Sequence, residues 1–64
     1  MRLTEFWKRM EGQFGPRYAE SVASDQVLRE LEGRTVRQAL DDGVATKDVW
    51  RAVCVAFEVP PRLR

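Results

Sequence analysis

An all-α fold, a compact bundle of four to five short helices built around its C-terminal one, is predicted by three features of this sequence. Apolar residues recur at helical spacing, capping residues stand where those runs begin, and Gly or Pro stands where they stop. At 64 residues the chain is one small domain, residues 1–64, with no internal repeat, low-complexity tract or linker.

The first helix is marked by Leu3, Phe6, Trp7, Met10 and Phe14, with Thr4 placed to cap its start and Gly15-Pro16 its end. Glu5 stands four residues before Arg9, the favourable orientation for a pair across one helical turn. Pro16 fits the first turn of a second helix, where its missing N–H would have been unpaired anyway. Tyr18, Ala19 and Val22 mark the expected buried side. The phase then slips at Ser24-Asp25, and the next apolar residues are Val27, Leu28 and Leu31. Either the helix kinks or re-caps there, or one helix with a broad apolar face runs unbroken from Arg17 to Leu31.

Thr35 and Gln38 have the spacing of a capping box, so a short helix is expected from there, burying Val36, Ala39 and Leu40. Gly43 stands where a left-handed residue ends a helix, and Asp41 and Asp42 lie near its negative end. Thr46 is placed to cap the last helix, Asp48 complements its N-terminus, and Val59-Pro60-Pro61 stops it. The run AVCVAF has strand propensity, but at 100° per residue Val49, Trp50, Val53 and Phe57 form one arc and Lys47, Arg51 and Glu58 the opposite one. Val55 breaks that pattern by falling inside the polar arc. Ala52 and Ala56 would allow another helix to approach closely.

Composition excludes several functions. Eleven basic and ten acidic residues leave a net charge of +1, so no strong overall field draws nucleic acid or an anionic membrane. The chain has no histidine, which removes the commonest general base and the usual mixed Cys/His zinc sites. It has no glycine-rich phosphate loop, and Asp41-Asp42 diverge on a helix rather than converge. Its one cysteine, Cys54, cannot form an internal disulfide and reads as a core thiol. The expectation is a non-enzymatic, cytoplasmic protein without cofactor or metal, since the N-terminus lacks a signal-peptide apolar region and no run approaches a membrane span.

Two functional readings survive. In the first, Arg51 and Val55, with Trp50 partly exposed beside them, form a partner surface for another protein or a second copy, because binding hot spots favour tryptophan and arginine. In the second, Ala39, Gly43, Val44, Val49, Ala52 and Val53 trace a helix-turn-helix, with Thr46, Lys47, Arg51, Arg62 and Arg64 contacting nucleic acid. Gln38 and Asp42 stand where such motifs are apolar, Trp50 would take a base-facing place, and the cations are few.

The blocks MRLTEFWKRME, FGPRYAESVASDQVL, GRTVRQAL, GVATKDVWRAVC and VPPRLR together resemble an actinobacterial family known as domain-of-unknown-function family 3046, along the whole chain. That resemblance implies a short helical cytoplasmic protein with no catalytic residues to carry over. Members are often encoded near recombination and DNA-repair genes, which associates the nucleic-acid reading with DNA metabolism.

Overall fold

An amphipathic helix has one face to bury, and here four such faces close on one core. The computed structural model describes residues 1–64. Helix α1 (Leu3–Phe14) is followed directly by α2 (Pro16–Asp25). A two-residue strand β1 (Val27–Leu28), a 3-10 turn (Arg29–Leu31) and a strand β2 (Arg34–Thr35) lead into α3 (Val36–Asp41). Helix α4 (Thr46–Ala56) and a closing 3-10 turn (Pro61–Leu63) complete the chain.

The C-terminal helix is central, as its pattern predicts. Of the fourteen apolar side chains in the core, α4 supplies five: Val49, Trp50, Ala52, Val53 and Cys54. Phe6 and Met10 come from α1, Ala19 and Ala23 from α2, and Val36 and Ala39 from α3. Leu28, Leu31 and Val59 fill the remainder. The radius of gyration is 10.4 Å, close to the roughly 10.7 Å that chain-length scaling gives a fully condensed domain of this size.

Gly15 makes the abrupt junction between α1 and α2. Its backbone, at φ 86° and ψ 150°, lies where essentially only glycine goes. Its N–H donates to the Glu11 carbonyl at 2.8 Å, and its own carbonyl accepts from the N–H groups of Tyr18 and Ala19 at 3.2 and 3.0 Å. One residue thus closes one helix and opens the next.

Neither helical reading of residues 16–32 holds in full: no helix runs unbroken from Arg17 to Leu31, and no second α-helix follows the stop at Asp25. Helix α2 stops at Asp25, and the chain then extends so that Val27 pairs with Thr35 and Leu28 with Arg34 in a minimal antiparallel ladder. The phase slip is the mark of that change from helix to strand. Tyr18 does not face the core: it is exposed, and the small side chains Ala19 and Ala23 set the buried stripe of α2 against α1. Leu3 and Val27 are likewise exposed.

Two capping expectations fail and one holds. Arg2, not Thr4, precedes α1, and neither it nor Ala45, which precedes α4, offers a side-chain cap. Thr46 lies just inside α4, and its hydroxyl donates to the Met1 carbonyl, tying the N-terminus to this helix. Thr35 forms the complete capping box. Its hydroxyl accepts from the Gln38 N–H at 3.1 Å while its own N–H donates to Gln38 Oε1 at 2.9 Å. Gly43, at φ 88°, terminates α3, and Asp42 is paired with Arg34 at 3.1 Å.

Candidate functional site

The outer arc of α4 is narrow because so much of the helix is buried. What remains exposed is Lys47, Asp48, Arg51 and Val55, with Val55 retaining 58% of its accessible surface. Leu3, Tyr18 and Val27 are exposed to a similar degree elsewhere, and what sets Val55 apart is its place beside a groove on a helix that buries its other valines, Val49 and Val53.

Val55 forms the lip of an open groove of about 340 Å³, lined also by Lys47, Trp50, Arg51, Cys54 and Arg64. The three residues expected to form a partner surface, Trp50, Arg51 and Val55, therefore do come together. So do Lys47 and Arg64 from the nucleic-acid set. Arg64 reaches this place because the chain turns back after Pro60-Pro61, and its Nε donates to the Val59 carbonyl at 2.8 Å. That bond holds the guanidinium through Nε. Arg51 meets Asp48 at only 3.5 Å with both side chains well exposed, a pair of little energetic weight.

Trp50 is not the partly exposed anchor expected of it. Only 4% of its surface is accessible, because α1 crosses it and Phe6 meets its indole edge-on, with ring centroids 6.2 Å apart and planes at 87°. It contributes to the groove wall from within the core, and its indole N–H is buried without an acceptor in the chain. Cys54 is buried beside it, as a core thiol should be. Burial pushes the thiol above its ordinary range, with the Arg64 and Arg9 cations pulling against that effect.

A second groove, of about 390 Å³, abuts the first at Arg64 and is lined by Glu5, Lys8, Arg9, Gly12, Arg62 and Leu63. Arg62 belongs here, away from the α4 arc. Arg9 donates both to the Arg64 carbonyl and to Glu5, the latter at 3.3 Å, and so links α1 to the returning tail. Lys8 and Arg9 escaped the sequence reading, which takes the charged face of α1 as simply solvated. The spacing Glu5, Lys8, Arg9, Gly12 does mark one helical face, but nothing local says that the tail lies along it.

The two grooves gather six of the chain's eleven basic residues against one carboxylate, Glu5. The other five cations and nine carboxylates lie elsewhere. The lining of these two grooves is thus cationic in a molecule whose net charge is +1. Next to the first groove a smaller depression, of about 230 Å³, shares Arg51 and Val55 and is lined also by Glu30, Asp48 and Ala52, so carboxylates adjoin the cationic groove on this side.

Thr46 lines neither groove, and no group of three or more His, Cys, Asp or Glu side chains is placed to hold a metal ion. No helix is long and apolar enough to cross a membrane. A family model described as "Protein of unknown function (DUF3046)" matches residues 1–62. No curated protein and no solved structure matches the chain.

Proposed function

Because the chain belongs to this family of proteins of unknown function, we propose from its groove that it is a non-catalytic binding module that docks a protein partner against the outer arc of α4. The carrying observation is Val55, exposed at the lip of a groove whose walls are Trp50 and Cys54 and whose cations are Lys47, Arg51 and Arg64. An apolar centre with a charged rim is the anatomy of a protein interface, in which a few central residues carry most of the affinity. The groove offers no paired acid and base and no activated nucleophile, since its thiol is pushed toward the neutral form.

The test is the double variant Arg51→Glu with Val55→Asp. Both side chains are exposed, so far-ultraviolet circular dichroism should be unchanged. A protein captured by the wild type, or a wild-type dimer seen by sedimentation, should be lost. Retention of the same partner by the double variant would sink the reading.

Nucleic acid is the second reading, favoured by the convergence of Lys47, Arg51 and Arg64 on one groove. Against it, the Thr46 hydroxyl is committed to Met1, Trp50 is inside the core, and the exposed arc of α4 also presents Asp48 and Val55. It predicts duplex binding that falls with salt at a log–log slope of about −0.9 per phosphate neutralised. No binding at about 50 mM salt would remove it.

A further inference from the structure

We infer that the segment docked in this groove is a short acidic peptide, with carboxylates set around an apolar side chain; this rests on the docking reading above. Every polar side chain lining the groove is a donor. Lys47, Arg51 and Arg64 are cations, and the buried indole N–H of Trp50 has no acceptor within the chain. No carboxylate side chain lines it, and the adjoining groove extends the same sign through Lys8, Arg9 and Arg62 with Glu5 the one acidic side chain among them. Arg64 is already held through Nε to the Val59 carbonyl, so less side-chain freedom is lost when its remaining N–H groups meet a carboxylate.

Charge alone would suit any polyanion; the apolar components and the extent of the field favour a peptide. Val55 and Cys54 give an apolar contact that a phosphate backbone has no group to fill. Glu30 and Asp48 stand beside Arg51 and Val55 in the neighbouring depression, so a long polyanion crossing this face would meet carboxylates. A short segment lying along the two cationic grooves meets only Glu5 among the lining carboxylate side chains, with Asp48 at the edge beside Arg51.

Titration of the isotopically labelled full chain with three probes decides the matter, read by amide and indole N–H resonances. The probes are a short synthetic peptide of glutamates flanking leucine, the same peptide with every glutamate replaced by glutamine, and a short duplex DNA. The glutamate peptide should shift the Trp50 indole resonance and the amides of Lys47, Arg51 and Val55 while leaving the Trp7 indole in place. Raising salt from about 0.1 M to 1 M, which shortens the screening length from about 10 Å to 3 Å, should weaken it at least about tenfold. The variant Lys47→Glu with Arg51→Glu should lose the shifts. Equal binding of the glutamine peptide would overturn the acidic inference yet leave a docking groove standing. Duplex DNA moving the same resonances at lower concentration, the same shifts on concentrating the protein alone, or no shift with any probe would each overturn it.

Discussion

Single residues carry two kinds of tension in this chain, one of backbone and one of charge. Helices α3 and α4 end alike: the N–H of Val44 donates to the Ala39 carbonyl, and that of Val59 to Cys54, each at 3.0 Å, the six-to-one bond of a Schellman turn. The residue before each must be left-handed. In α3 it is Gly43, but in α4 it is Glu58, at φ 52°, where a side chain costs energy that glycine does not. Glu58→Gly should therefore raise stability by about 0.5 to 1 kcal/mol, offset in part by the looser unfolded chain. Thermal denaturation should show a midpoint a few degrees higher. The charge tension is at Cys54, whose thiol burial raises above its ordinary range against the pull of Arg64 and Arg9. The folded state resists deprotonation more than the unfolded one, so this contribution is complete below the unfolded thiol's titration and falls as pH rises above about 8.5. Urea midpoints measured from neutral to alkaline pH should decline more steeply in the wild type than in Cys54→Ala, whatever their absolute offset.

At the scale of elements, α3 depends most on local chemistry. It is only six residues long, too short to persist by helix propensity, yet it contributes Val36 and Ala39 to the core. Its capping box is what sets its start, and Thr35→Ala should cost about 1 kcal/mol in chemical denaturation, with Thr35→Ser largely neutral by comparison. The helices were legible in the sequence for physical reasons: the 3.6-residue period, the Thr35–Gln38 box and the glycines are all local signals. The β1–β2 ladder was not, because strands of two residues are too short to establish a period of two, and only the slipped phase after Val22 marked the place. Tyr18 misled because a large aromatic outweighs alanine in a hydrophobic pattern, although Ala19 and Ala23 are what let α1 and α2 pack. The candidate site divides in the same manner. Lys47, Arg51 and Val55 follow from the arcs of α4 alone, whereas the burial of Trp50 depends on Phe6 from α1, and the cationic groove depends on a tail that returns after Pro60-Pro61.

For the whole molecule, the decisive quantity is how little stability so small a core leaves in reserve. At roughly 0.05 to 0.15 kcal/mol per residue, 64 residues give a margin of about 3 to 10 kcal/mol. Phe6 is the point at which that margin is most exposed to a single change. It has no accessible surface, meets the Trp7 ring edge-on at 5.4 Å and the Trp50 ring at 6.2 Å, and so joins α1 to the central helix. Around that contact the Arg37 guanidinium lies 4.7 Å over Trp7 while pairing with Glu20, bringing α2 and α3 to the same aromatic cluster. Removing the ring costs the transfer energy of its carbons together with the cavity left behind, about 3 to 5 kcal/mol. That would exhaust a margin in the lower half of its range, so Phe6→Ala should lose most or all of its near-ultraviolet circular dichroism and its cooperative urea transition at 25 °C. Phe6→Leu keeps an apolar side chain there and should remain folded with a lowered midpoint. A cooperative transition retained by the alanine variant within about 1 kcal/mol of the wild type would mean that α4 is held in place without α1, and that the groove beside it does not depend on the Phe6 contact.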